Sequence, residues 1–209
     1  MADKGTLYVV ATPIGNLDDI SKRAVEVLGS VSKIAAEDTR HSKKLMQAIG
    51  VATPLLSYHE YSGKAVASKI IAALQSGESV ALISDAGTPL ISDPGYKLVC
   101  RARVLGLRVI PIPGACALTA ALSVAGLPTD KFAFEGFLLH KSAARRARLQ
   151  ALAAEPRSLV FYESPHRIVK SIGDMQQIFG SDRQVFVARE ISKKFETHFL
   201  GTSLDCLAW

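Results

Sequence analysis

The sequence predicts an α/β protein of two α/β domains: an amino-terminal, mostly parallel sheet flanked by helices, then a carboxyl-terminal mixed sheet with helices. Three observations predict it. Short β-rich runs alternate with helical patterns through about residue 125. The 209 residues, 48% apolar and 21% charged, can bury one large core or two smaller ones. The pattern then changes after the turn Gly126-Leu127-Pro128, which places a boundary near residue 128 and gives domains 1–128 and 129–209.

The first half reads as strands over Leu7–Val10, Lys33–Ala36, Pro54–Ser57, Val80–Ser84 and Arg108–Ile112. Between and after them come helices over Ile20–Leu28, Ser42–Ile49, Ala65–Leu74, Gly95–Leu105 and Cys116–Ala125. Such alternation implies a parallel sheet covered on both faces, whose ligands bind beyond the carboxyl ends of the strands. In the second half Phe132–Leu139, Ser158–Glu163, Gln184–Ala188 and Phe195–Leu200 read as strands, with helices over Ala143–Ala153 and His166–Ile178. The final Ser203–Trp209 reads as a helix starting from a Ser203 cap and then stopping, so the chain is expected to be incomplete at its carboxyl end.

Composition narrows the class. Met1-Ala2-Asp3-Lys4-Gly5 opens no signal segment, and no run reaches the roughly 18 apolar residues of a membrane span, so a cytoplasmic protein is expected. Cys100, Cys116 and Cys206 lack any CxxC spacing and read as buried free thiols. The net charge of +6 favours a polyanionic partner, weakly on its own.

Three Gly/Pro loops should emerge at the carboxyl edge of the first sheet: Ala11-Thr12-Pro13-Ile14-Gly15-Asn16, Ser84-Asp85-Ala86-Gly87-Thr88-Pro89 and Pro111-Ile112-Pro113-Gly114-Ala115-Cys116-Ala117. Singly each is a tight connector; together they read as a binding cleft, with Gly87 letting another molecule approach the backbone. In the second turn of the middle loop, Ser92 or Asp93 is expected to cap a helix with Pro94 at its first position. No GxGxxG follows the first strand, no GxxxxGK[ST] occurs, and His59-Glu60 lacks the second histidine of a metalloprotease helix.

Charged clusters leave two readings each. In Glu37-Asp38-Thr39-Arg40-His41-Ser42-Lys43-Lys44, Asp38 or Thr39 caps the next helix, or the cluster positions a hydroxyl and accepts its proton. His140-Lys141-Ser142-Ala143-Ala144-Arg145-Arg146-Ala147-Arg148 is a solvated helix face or a contact for backbone phosphates. Phe161 to Arg167, with His166, and Ala188 to Glu196, with Arg189-Glu190, are polar strand ends that are either structural or functional.

Taken together, "ATPIGNLDDIS", "AAEDTRHS", "LISDAGTPLISDPG", "PIPGACA", "FEGFL", "FYESPHR" and "ARE…KKFE" resemble the bacterial small-subunit ribosomal RNA 2′-O-methyltransferase family, within the tetrapyrrole-methylase (class III) superfamily. The likeness runs from about Gly5 to Trp209, in order. It implies two α/β domains with S-adenosylmethionine in the cleft between them, usually in a homodimer, and no metal. Carried over, Pro13, Ser84, Ala86, Gly87, Thr88, Ile91, Cys116, Ala117, Tyr162 and Glu163 bind the cofactor. "ATPIGN" stands where tetrapyrrole-making relatives carry GxGPG, which leaves the contacts of that first loop open. The implied substrate is a cytidine ribose in the decoding centre of 16S ribosomal RNA, within the small ribosomal subunit.

Methyl transfer to a ribose hydroxyl needs alignment and a proton acceptor, so Glu37 or Asp38 is expected as acceptor or orienter, with Asp85 as alternative and Arg40 as a phosphate or hydroxyl contact. Lys43, Lys44, Lys141, Arg145, Arg146 and Arg148 are the expected contacts to the RNA backbone. A methyltransferase of tetrapyrroles or other small molecules and a non-catalytic RNA-binding module are the alternatives.

Overall fold

The apolar runs of the first half form five parallel strands, β1 (Thr6–Val10), β2 (Lys33–Ala36), β3 (Leu55–Ser57), β4 (Val80–Ile83) and β5 (Arg108–Ile112), in the order β3-β2-β4-β1-β5. The computed structural model describes residues 4–59 and 64–209. Helices α1 (Lys22–Ser30), α2 (Thr39–Ala48), α3 (Lys64–Gln75) and α4 (Tyr96–Val104) make the crossovers. Helices cover both faces, so successive side chains of a strand are buried alternately on each side. Leu7, Ala35, Val80 and Leu82 pack with Ile70, Leu74, Leu98 and Ala102 of α3 and α4. Val10, Ile34, Ala36, Ala81, Ile83 and Ile112 pack with Ala24, Leu28 and Met46 of α1 and α2. Each fully buried Leu or Ile contributes about 1.5–3 kcal/mol, which fixes the register in which the strands end.

The helix starts differ from the sequence reading in two informative places. Helix α2 begins at Thr39 rather than Ser42, because the Asp38 side chain accepts from the Arg40 amide at 2.8 Å and caps the helix directly after β2. Helix α4 begins at Tyr96 with Gly95 at the cap and no side-chain cap bond, so neither Ser92 nor Asp93 caps it and Pro94 precedes the cap. Leu90 and Ser92 instead take left-handed φ values of 73° and 66°, which turns the connection before the helix. Gly95, at φ 136°, has no room for a Cβ, which would lie 2.9 Å from both Leu82 and Leu90.

The chain divides into compact units Met1–Cys116 and Ala117–Trp209; the helix α5 (Ala117–Val124) therefore opens the second unit, whereas the sequence reading set the boundary after it, near residue 128. The second unit continues with β6 (Phe132–Phe137), α6 (Ser142–Ala151), β7 (Ser158–Tyr162), α7 (Ile168–Phe179), β8 (Gln184–Arg189), β9 (Thr197–Thr202) and α8 (Ser203–Ala208). Both strand directions occur, as a parallel pair β6–β7 and an antiparallel pair β8–β9, not as one hydrogen-bonded sheet. Helix α8 is capped by Thr202, reciprocally with Asp205, instead of by Ser203. The Ser203 hydroxyl is buried and donates to the carbonyls of Gly180 and Ser181 at 2.9 and 3.0 Å.

Candidate active site

Three connections leave the carboxyl ends of β1, β4 and β5, and the backbone joins them. Thr12 and Gly87 exchange two amide–carbonyl bonds, at 2.9 and 3.0 Å, so the loop after β1 and the loop after β4 form one bridged unit. The Ala11 amide donates to Ile112 at 3.2 Å, and the Thr88 hydroxyl donates to the Ala115 carbonyl at 3.1 Å, which brings in the loop after β5. Thr12 is buried, its hydroxyl 3.4 Å from the Ser84 carbonyl. Sequence reasoning treated it only as part of a Gly/Pro loop; its signal was a polar residue closing the apolar run Leu7–Ala11.

Small residues are required where the loops meet. Gly87 has φ 84°, and a Cβ there would sit 3.3 Å from Ile14 and 3.8 Å from the Ala115 carbonyl; at Gly114 it would lie 2.9 Å from the Ala11 Cβ. The expected cofactor residues Pro13, Ser84, Ala86, Gly87, Thr88, Ile91 and Cys116 all lie on these three connections; Ala117 begins α5.

The carboxylates gather at the same edge. The Asp85 carboxylate accepts from the Asp38 amide at 3.0 Å, tying the β4 loop to the β2–α2 turn that carries Glu37. Burial raises the pKa of Glu37 above 4.5, the carboxylates of Asp85 and Asp93 raise it further, and an Asp85 backbone hydrogen bond and the charge of His59 pull it partly back. Asp93 is raised for the same leading reason, burial, against a hydrogen bond from Ser84. Asp38 goes the other way: its hydrogen bonds with the Arg40 side chain and backbone hold its pKa at about 2. Its carboxylate is paired with the guanidinium at 2.9 Å and caps α2, so both Asp38 and Arg40 are engaged with each other. A carboxylate that resists protonation is a poor proton acceptor, whereas one whose pKa is raised is a better one. The edge therefore separates the two expected acceptors and favours Glu37.

This edge suits a cationic ligand: burial raises the pKa of Glu37 and of Asp93, and neighbouring carboxylates, Asp85 and Asp93 for Glu37 and Asp85 for Asp93, raise it further. S-adenosylmethionine, with its sulfonium and ammonium charges, fits those requirements. Glu60, the second half of the His59-Glu60 pair, lies outside the described residues. Among the described residues no group of three or more His, Cys, Asp or Glu side chains is placed to hold a metal, and no helix is long and apolar enough to cross a membrane.

In the second unit, the Tyr162 hydroxyl accepts from the Leu118 amide at 3.1 Å at the start of α5, with Phe134 and Phe137 edge-on to its ring. The Glu163 carboxylate is fully used within the unit: one oxygen accepts from the Ser164 amide at 2.7 Å and pairs with Arg167 at 2.6 Å, the other accepts from Ser171 at 2.6 Å. It organises the start of α7. Arg167, missed from sequence, was signalled by its four-residue spacing from Glu163.

The basic stretch divides. Lys43, Lys44, Lys141 and Arg146 are exposed, and Arg148 is half-exposed while paired with Glu135 at 2.5 Å. Arg145 is a correction to the expected phosphate contacts. Its side chain is 4% exposed and bonds Asp174 of α7 at 2.6 and 2.7 Å, so it joins α6 to α7 and is buried rather than presented at the surface. Four-residue spacing from Leu149 puts Arg145 on the buried stripe of α6, a period the charge run concealed.

A family model for the tetrapyrrole (corrin/porphyrin) methylases matches residues 6–205. Curated relatives include "Ribosomal RNA small subunit methyltransferase I" of Pseudomonas aeruginosa, 61% identical over 92% of this chain and 68% of the relative. The same-named protein of Xylella fastidiosa is 56% identical over 97% of this chain and 74% of the relative. Among solved structures, a diphthine synthase superposes with a TM-score of 0.74 over 98% of this chain and 84% of its own, at 16% identity, a likeness of fold. The parallel sheet with its bridged carboxyl-edge loops, the match across nearly the whole chain and these relatives lead to one conclusion: the chain belongs to the tetrapyrrole methylase family.

Proposed function

We propose that this protein methylates small-subunit ribosomal RNA with S-adenosylmethionine as donor, the acceptor being the 2′-hydroxyl of a cytidine ribose in the decoding centre. The observation that carries the reading is the bridged carboxyl edge, with Glu37 beside it, in a chain 61% identical to a relative named for ribosomal RNA methylation. The substrate as assembled subunit and the homodimer as acting species are parts of the same proposal, drawn from the family resemblance.

S-adenosylmethionine supplies an electrophilic methyl group on a sulfonium sulfur. Pro13, Ser84, Ala86, Gly87, Thr88 and Ile91 hold it against the bridged loops, where the Thr12–Gly87 bonds fix the backbone before binding. Orientation of this kind contributes at most roughly 7–11 kcal/mol to lowering a barrier, while a positioned base adds about 10²–10⁴-fold. Glu37 would accept the proton of the ribose hydroxyl that receives the methyl group. Asp38 and Arg40 set the turn that carries Glu37, and Asp85 holds that turn through the Asp38 amide. Lys43, Lys44, Lys141 and Arg146 supply phosphate contacts, with Arg148 beside Glu135.

Incubation with radiolabelled S-adenosylmethionine and small subunits from a strain lacking the modification tests the reading. Label in the ribose of a single cytidine is expected. Label in an added tetrapyrrole with none in RNA would replace the proposal with a small-molecule methyltransferase, and RNA binding without heat on titration with the donor would replace it with a non-catalytic module.

A further inference from the structure

The β8–β9 connection is an internally hydrogen-bonded turn that displays an aromatic ring. Glu190 and Ser192 hold left-handed φ values of 57° and 67°, an arrangement unfavourable for an ordinary residue that persists only where neighbours impose it. Here the turn imposes it on itself: the Lys193 amide donates to the Glu190 carbonyl at 2.9 Å, the Glu196 amide to the Lys193 carbonyl at 3.2 Å, and the Ser192 amide to the Glu196 carboxylate at 2.5 Å. Both acids are occupied, since Glu190 also pairs with Lys193 at 3.2 Å and Glu196 with His198 at 3.0 Å. Phe195 is left 68% exposed, with the Lys194 ammonium 5.6 Å from its ring centroid. A fixed, solvent-facing ring with a cation beside it is the arrangement that stacks an unpaired base and meets its phosphate.

We propose that this turn is a contact for single-stranded RNA, with a base stacked on Phe195 and Lys194 on the adjoining phosphate; the inference rests on the ribosomal RNA reading above and adds a substrate surface to it. Stacking is tolerant of base identity, so the turn grips the strand without selecting the nucleotide to be modified. A second copy of this chain is the competing occupant of an exposed aromatic.

The test uses the full chain and a fluorescein-labelled, mixed-sequence single-stranded RNA of about a dozen nucleotides, within the range such surfaces cover. Anisotropy is read over a series of salt concentrations, with methyl transfer to undermethylated small subunits measured in parallel. Phe195→Ala should weaken RNA binding about 5- to 150-fold. Phe195→Leu, which keeps apolar area without a π face, should behave like the alanine variant, and Phe195→Trp should bind as well as the parent. Lys194→Ala should reduce the magnitude of the salt slope by about 0.7. Unchanged affinity in Phe195→Ala, in a parent that binds RNA and transfers methyl, overturns this inference alone. A changed oligomeric state by light scattering with unchanged RNA affinity also overturns it and makes the turn a self-association surface. A parent that neither binds RNA nor methylates the subunit removes the functional reading along with it.

Discussion

Replacing Arg145 by alanine separates a structural arginine from an RNA contact. Two of its guanidinium nitrogens meet one oxygen of Asp174 at 2.6 and 2.7 Å, the third lies 3.4 Å from the His140 carbonyl, and the two side chains are 4% and 12% exposed. Removing one partner of a buried pair leaves the other charge without compensation and costs about 3–5 kcal/mol, a large share of the roughly 5–15 kcal/mol that holds a domain together. The assay is built into the chain: its single tryptophan, Trp209, stacks on Phe199 within the second unit, at 5.3 Å between centroids, and reports that unit's unfolding by fluorescence. With a urea slope of about 1–3 kcal/mol per molar, Arg145→Ala should bring the midpoint down by at least about 1 M. The double variant Arg145→Met with Asp174→Leu should restore most of the loss, because a well-packed apolar pair replaces a buried ionic one at little cost. Below its unfolding midpoint, Arg145→Ala should keep the parent's salt dependence of RNA binding. A midpoint unchanged from the parent's, together with a flattened salt slope, would refute the structural assignment and return Arg145 to the RNA surface.

Glu37→Gln should slow methyl transfer about 10²–10⁴-fold and remove the acidic limb of the kcat/KM profile, which in the parent rises with pH through a value above 4.5. The same raised pKa means that ionised Glu37 costs folding stability at neutral pH and that the cost is relieved as pH falls through the raised value toward 4.5; Glu37→Gln should therefore be more stable at neutral pH and lack that dependence in denaturation measured across pH. Asp38 has the opposite sign, so its contribution, present above pH 3.8, should disappear on acid titration as pH falls through about 2, and Asp38→Asn should show no such loss. Gly87→Ala places a side chain at φ 84° against Ile14; about 1–2 kcal/mol of stability should be lost, and calorimetric titration should show weaker donor binding, an unchanged affinity being evidence that the bridge does not shape the site. Thr202→Ala should cost about 0.5–2 kcal/mol in the Trp209-monitored transition by removing the α8 cap.

Much of the first unit was legible because its signals are local or periodic. Apolar runs such as Val80–Ile83 bounded by turns can only be strands covered on both faces, and the loops that follow them must emerge at one edge. The charged cluster was legible as a place but not as roles: Glu37 and Asp38 are chemically similar neighbours, and only the fold reveals that one is partly buried near other carboxylates while the other is spent on Arg40. The span of α4 was legible to within a residue, but its cap was misread because Ser-Asp-Pro has a capping composition, yet Leu90 and Ser92 are left-handed and Gly95 stands at the cap. Arg145 was misread because charge count outweighed helical period. The pairing of β6 with β7 and β8 with β9 as separate pairs is decided by long-range hydrogen bonds that no local pattern encodes.

The interior position of β1 has a consequence for biosynthesis. Its neighbours are β4 and β5, so the first strand to be made has no partner until some seventy residues later, when Val80 arrives opposite Leu7, and is not flanked on both sides until β5 follows. At roughly 5–20 residues per second, the nascent Thr6–Val10 segment waits on the order of ten seconds as an unsatisfied edge. Native Thr12–Gly87 pairing must await the same event, so the donor-binding corner is among the later features to mature as the chain leaves the tunnel.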